Sequence, residues 1–266
     1  MRGPQRRVLT EVKRGGDRPP RLGANQRTED IHAQARHSPA PARHRVHHRK
    51  GGQRVRLLST ADDRRGERLK GEYRRVESGL RRHGVRRTVL VMGSTRASRR
   101  SPYYALAREF GALVATDGRA ALMTGGGPGI MEAANRGAFE AGGISIGLNI
   151  DLPAPQAPNR YLTRGLSFRF RYFALRKLHF LLRARAMVAF PGGYGTFDEL
   201  FETLTLVQTR RVRPMPVVLV GTRWWRRAVD FDFLVAEGVI TRREAKLFRF
   251  ADSAGEIWDA VRPSLG

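Results

Sequence analysis

The sequence predicts one doubly wound parallel α/β sheet. Short apolar runs that read as buried strands alternate with stretches of helical period. Twice such a run ends in a glycine cluster that opens directly into a helical pattern. These are Gly125-Gly126-Gly127-Pro128-Gly129 and Pro191-Gly192-Gly193-Tyr194-Gly195. The length of 266 residues accommodates a large domain of this class, and its 41% hydrophobic content can fill the core.

Composition bounds the function classes. The formal net charge is +26, and residues 1–56 carry 15 Lys and Arg against 4 Asp and Glu. That segment is rich in Arg, His, Gly and Pro with almost no periodic apolar residues, so it reads as a disordered tail before a folded domain over 57–266. Its His44, His47 and His48 could be taken for a metal tract, but no scaffold or carboxylate partner accompanies them, and no metal site is assigned. A basic tail can meet nucleic acid electrostatically, a secondary reading here because Arg dominates Lys along the whole chain. There is no cysteine, which excludes disulfides, thiolate metal sites and a cysteine nucleophile. No apolar run reaches 18 residues and no secretory leader is visible, so no membrane partner and a cytoplasmic location are expected.

In chain order, Leu69, Tyr73, Val76 and Leu80 recur at helical spacing in a charged stretch that Gly84 stops, an amphipathic helix. Thr88–Met92 is the first buried strand, ending in Gly93-Ser94-Thr95-Arg96 at what would be a ligand edge. Tyr104, Leu106, Ala107, Phe110 and Leu113 predict a crossover helix over 103–114. Ala121–Thr124 is the second strand. Its glycine turn is not the dinucleotide fingerprint, because G-x-G-x-x-G counted from Gly125 fails at Ile130. Pro128 suits the first turn of the next helix.

Residues 144–150 form a third strand, and the prolines of 152–159 make a loop. Residues 168–184 read as one helix with an aromatic face (Phe168, Tyr172, Leu175, His179, Leu182) opposite Arg169, Arg176 and Arg183, and with His179 packed. A strand over 186–190, a helix over 196–208 and a last core strand over 216–221 follow. Trp224-Trp225, 231–235 and 247–250 supply closing helices, and Asp252 caps a terminal one.

The second glycine turn carries the chemistry. Gly192, Gly193 and Gly195 let backbone N–H groups approach a ligand, and the helix N-terminus adds partial positive charge, so a phosphate is the natural guest. Thr196 and Glu199 also stand in capping-box relation, which would explain those two residues without a ligand but not the glycines before them.

The pieces Gly125-Gly126-Gly127-Pro128-Gly129-Ile130-Met131-Glu132-Ala133, Arg176-Lys177 and Pro191-Gly192-Gly193-Tyr194-Gly195-Thr196-Phe197-Asp198-Glu199 together resemble the LOG (Lonely Guy) family, with Gly93-Ser94-Thr95-Arg96 and Asn159-Arg160-Tyr161 also matching. The resemblance covers about residues 60–260 and is closer to the longer bacterial subgroup. It implies a Rossmann-like fold and a homodimer with the pocket at the interface. The activity it implies is hydrolysis of the N-glycosidic bond of a cytokinin nucleoside 5′-monophosphate, with no cofactor and no metal. By the same resemblance Arg176 and Glu199 are catalytic. Gly93, Ser94, Gly125, Gly126, Gly127, Glu132, Lys177, Gly192, Gly193, Gly195, Thr196 and Asp198 bind substrate, with Glu132 on ribose or base. Alternatives are a general AMP nucleosidase and a non-catalytic carrier of a phosphorylated ligand such as the molybdenum cofactor. The decarboxylase label sometimes attached to such sequences finds no pyridoxal phosphate motif here.

Overall fold

Runs of apolar residues with no polar alternation demand burial on both faces, and that is where they lie. The computed structural model describes residues 60–153 and 157–266, with side chains from Asp63 onward; the expected tail over 1–56 and its histidines lie outside the described residues. Among the described residues seven strands form one sheet: β1 (Thr88–Met92), β2 (Ala121–Thr124), β3 (Ser145–Ile150), β4 (Ser167–Phe170), β5 (Ala184–Ala189), β6 (Val217–Val220) and β7 (Phe248–Ala251). Their spatial order is β4-β3-β2-β1-β5-β6-β7, and every pairing is parallel.

Among the described residues eight α-helices cover the two faces: α1 (Thr60–Arg82), α2 (Pro102–Asp117), α3 (Ile130–Glu140), α4 (Phe173–Leu182), α5 (Tyr194–Gln208), α6 (Thr222–Ala228), α7 (Phe231–Ala236) and α8 (Ala254–Val261). Strand residues alternate between the faces. Leu90, Met92, Met187 and Leu219 pack with Val76 and Leu80 of α1, Phe180 of α4, Leu200 of α5 and Trp225 of α6. Val89, Val91, Val188 and Val218 pack with Phe110 of α2, Ala134 of α3 and Ile257 of α8. No described helix is long and apolar enough to cross a membrane.

The chain starts in the middle of the sheet, steps outward through β2, β3 and β4, then returns to place β5 against the free side of β1. Strand order reverses between β1 and β5, and a crevice opens there at the carboxyl ends, the usual ligand position of such sheets.

The structure corrects four local expectations. Residues 168–170 are strand, not helix. Phe168 and Phe170 are buried while Ser167, Arg169 and Arg171 are exposed, the period of two that a strand imposes, and the helix starts only at Phe173. Phe248–Ala251 is likewise an edge strand paired with β6. Pro128 precedes α3, whose N-cap is Gly129. Ser253 caps α8, and Asp252 instead accepts bonds from Thr222 N and Oγ1 at the start of α6.

Two glycines let α2 and α3 meet backbone to backbone. A Cβ on Gly111 would collide with the Ala134 carbonyl, and one on Gly137 with the Arg108 carbonyl. Because the obstacle is backbone, no rotamer change relieves it. Gly137→Ala is expected to destabilise the protein by ~1–3 kcal/mol, as overpacked cores do. A urea midpoint equal to the parental one would contradict this contact.

Candidate functional site

The crevice at the strand reversal is a cleft of about 1010 Å³. One wall is the loop after β1, Gly93 to Arg96; the opposite wall is Pro191 to Glu199, the loop after β5 and the first turns of α5. A hydrogen bond from Ser94 N to Pro191 O, 2.9 Å, joins the walls, and Ile130 N donates to Ser94 O at 3.0 Å. Gly125, Met131 and Asn149 close the side toward β2 and β3, and Arg176, Phe173 and Trp224 complete the lining.

The second glycine loop is built for close backbone approach. Gly193 is the N-cap of α5 and makes no side-chain cap; Thr196 N and Phe197 N donate to Gly193 O, which leaves the N–H groups of Tyr194 and Gly195 without an intrahelical acceptor. Thr196 is buried in the first turn and folds back on Gly192, where a Cβ would strike its hydroxyl. Thr196 and Glu199 therefore do not form the capping box that their spacing allows.

Glu199 is 4% exposed, and its Oε2 has no hydrogen-bond partner among the described residues. Burial raises its carboxyl from the usual 4.5 to about 7, against the downward pull of Lys177 and Arg176. Loss of hydration thus outweighs the nearby cations. A carboxyl that titrates near neutrality in a cleft can exchange protons with a ligand.

Arg176 is anchored rather than free. Its Nε donates to Leu148 O at 2.7 Å, and its guanidinium lies 5.0 Å from the centroid of the Phe180 ring. The far end of the side chain reaches Gly125, where a Cβ would come within 2.5 Å of the guanidinium. Glycine at 125 thus makes room for the cation between the two loops. Burial lowers the guanidinium affinity for its proton, and the Glu199 charge opposes this; the group stays cationic at any physiological pH.

The structure brings Gly93, Ser94, Gly125, Arg176, Gly192, Gly193, Gly195, Thr196, Asp198 and Glu199 into one cleft. It does not bring Glu132 or Lys177 there. Glu132 faces a separate pocket of about 350 Å³ beside Arg99, Asn159 and Tyr161. Its carboxylate accepts from Arg99 Nη2 at 2.8 Å and from the Tyr104 hydroxyl at 3.0 Å. Gly126 and Gly127 sit behind the cleft, held by a buried polar network. Gly126 N donates to Thr124 Oγ1, and Asn159 donates through Nδ2 to Gly127 O and to Asn135 Oδ1. Their role is to shape the loop, since two polar side chains fix its backbone from below.

The cleft is also lined by residues outside the candidate set, among them Arg96, Met131, Asn149 and Trp224. Arg96 and Met131 stand inside the quoted motifs, whereas no local pattern marks Asn149 or Trp224. Asn149 is buried, with its Nδ2 unpartnered among the described residues. Among the described residues no lysine lines the cleft and no group of three or more His, Cys, Asp or Glu is placed to hold a metal.

A family model described as "Possible lysine decarboxylase" matches residues 131–261. A probable cytokinin riboside 5′-monophosphate phosphoribohydrolase of Oryza sativa subsp. japonica, LOG4, is 29% identical over 186 residues, 68% of this chain and 80% of that protein. Among solved structures, the structural-genomics protein TM1055 is 25% identical with a TM-score of 0.52, covering 66% of this chain and 99% of that one. The molybdenum cofactor carrier protein of Chlamydomonas reinhardtii is 26% identical with a TM-score of 0.49, covering 68% and 98%. With its Rossmann-like sheet and its two glycine loops, the chain is similar to the Oryza sativa LOG phosphoribohydrolase over about two thirds of its length, and the lysine-decarboxylase-like model matches just under half of it.

Proposed function

We propose that the protein hydrolyses the N-glycosidic bond of a nucleoside 5′-monophosphate, releasing an adenine-type base and ribose 5-phosphate. One observation carries this reading: a glycine loop at a helix start and the buried Glu199 carboxyl share a single cleft. The phosphate lies on the N–H groups of Gly192 to Gly195, with Gly93 and Ser94 on the facing wall. Arg176, fixed between the loops, neutralises the phosphate charge that would otherwise oppose Glu199. As the C1′–N bond breaks, positive charge develops on the ribose. Ionised Glu199 stabilises it and takes a proton from water, whose oxygen bonds to C1′; that proton passes on to the departing base, which restores the carboxylate. Asp198, half-exposed at the mouth, assists the orientation of that water. Glu132, tied to Arg99 and Tyr104, supports the first glycine loop from outside and is left out of substrate contact.

The relative's cytokinin substrate favours a modified adenine, and the apolar lining from Met131, Ile150, Leu152 and Phe173 accommodates one. The test is incubation with AMP and with isopentenyl-adenosine monophosphate, following base release by chromatography. Faster release from the isopentenyl substrate supports a cytokinin-activating enzyme, and equal release a general nucleosidase. Binding of AMP without release from either would replace catalysis with a carrier function.

A second copy of the chain is part of this proposal. Phe173, Leu178 and Leu182 of α4 and Phe201 of α5 are 52%, 44%, 46% and 38% exposed, and Phe173 also lines the cleft. Covering such side chains with a second copy would remove apolar area from water. Light scattering is expected to give twice the chain mass; a monomer at micromolar concentration would count against the homodimer.

A further inference from the structure

Arg176 and Lys177 are neighbours on α4, and one residue of helix turns a side chain by roughly 100°. Arg176 consequently reaches the cleft, while Lys177 points to α5. Its ammonium lies 2.6 Å from Glu202 Oε2, 3.0 Å from Asp198 Oδ2 and 3.7 Å from Glu199 Oε1. Positions 198, 199 and 202 share one side of a helix by their spacing, so a single cation meets three carboxylates of α5. An ammonium has three N–H donors, and these acids engage it. Its side chain is 17% exposed. A phosphate would have to displace carboxylates to claim it, which disagrees with the substrate-binding role its place beside Arg176 suggests.

We propose that Lys177 is a positioning residue that clamps the first turns of α5 to α4 and sets the proton affinity of Glu199 without touching substrate. The inference rests on Glu199 being the base of the reaction proposed above. The charged groups around Glu199 are Arg176 and Lys177 from α4, Asp198 and Glu202 on its own helix, and Arg96 across the cleft. Two of its near neighbours are acidic and favour the neutral carboxyl; the two from α4 are basic and oppose them. Because Glu199 has one oxygen without a partner, few local bonds stabilise its anion, and the balance of these charges decides its ionisation. Lys177 also keeps its own charge. Burial alone would depress it, but hydrogen bonds to Glu202 and Asp198 with the charge of Glu199 raise its proton affinity instead.

The experiment is carboxyl-carbon NMR of the full chain labelled at the Glu side-chain carboxyl, with the Glu199 signal identified by its loss in Glu199→Gln. Lys177→Met is expected to move the Glu199 midpoint up by about one pH unit or more. Glu202→Gln moves it down, since it removes a like charge, and Lys177→Arg leaves it near the parental value. The rising limb of kcat/KM against pH shifts with the midpoint, while KM for AMP changes less than threefold. An unmoved midpoint in Lys177→Met, with KM for AMP raised tenfold or more, would overturn the clamp and return Lys177 to the phosphate. Should Lys177→Met fail to fold, Glu202→Gln decides alone, and a midpoint that does not fall sinks the idea. If the wild-type protein releases no base from any monophosphate, the hydrolase reading fails on that assay, while the titration still decides the clamp.

Discussion

Glu199→Gln is expected to lose turnover by ~10³-fold, the range of a positioned acid or base, and to make the protein more stable above pH 7. Both effects come from one burial. The folded protein holds the Glu199 carboxyl at about 7, whereas the unfolded chain ionises it near 4.5. Below pH 4.5 the group is neutral in both states, and the buried site carries no charge cost. As pH rises from 4.5 through 7 the folded state binds more protons than the unfolded one, so stability falls over that window and stays lower above it. A shift of this size corresponds to ~3 kcal/mol. Glutamine has nearly the same shape and no charge, so the variant escapes that loss. Urea midpoints at pH 5 and pH 8 check it: the variant should gain on the wild type only at the higher pH. Parental turnover in the variant would remove Glu199 from the proposed chemistry. An equal stability difference at both pH values would contradict its raised proton affinity.

Arg176→Met is the second large effect, an expected loss of ~10²–10³-fold in kcat/KM, the usual scale for removing one preorganised charge from an active site. Methionine fills much of the volume beside Phe180 but cannot donate to Leu148 O or face a phosphate. Loss of the cation also leaves Glu199 with only Lys177 to favour its ionised form among its nearest neighbours. The rising limb of the pH profile therefore moves to higher pH. Arg176→Lys rescues little, because an ammonium lacks the fork that spans the Leu148 carbonyl and the Gly125 loop. Measuring kcat/KM for AMP from pH 5 to pH 9 checks both effects. A variant that loses affinity without a shifted profile would confine Arg176 to phosphate binding.

How much was legible in the chain depends on how local the signal is. β1 and β2 run over Thr88–Met92 and Ala121–Thr124 as their composition predicts, because a run of apolar residues between charged or glycine punctuation has one way to be buried on both sides. The segment after Leu166 misleads for the opposite reason. Phe168, Tyr172, Leu175 and His179 satisfy a helical period, while Phe168 and Phe170 satisfy a strand period, and four residues are too few to separate them. Only the free edge of β3, with Gly147 to Ile150 waiting for partners, selects the strand. Phe248–Ala251 is decided in the same way by the edge of β6.

The site divides along the same line. The glycine turns are visible in the sequence because each sits at a strand end, where backbone chemistry is read from neighbours; Arg176 and Glu199 are singled out by the resemblance of their motifs. Which way Lys177 and Glu132 point is not visible. Lys177 is governed by three acids on another helix, and Glu132 by Arg99 and Tyr104 from the segment that covers it. Nor does any local pattern announce that Glu199 titrates near neutrality, since that follows from the water excluded by α4, the β1 loop and its own helix. The sequence by itself determined the sheet, its parallel sense and the crevice where the chain reverses, because hydrophobic period and glycine placement are local. Tertiary structure alone decided which charges face one another across that crevice, because electrostatic partners and burial are properties of distance in space.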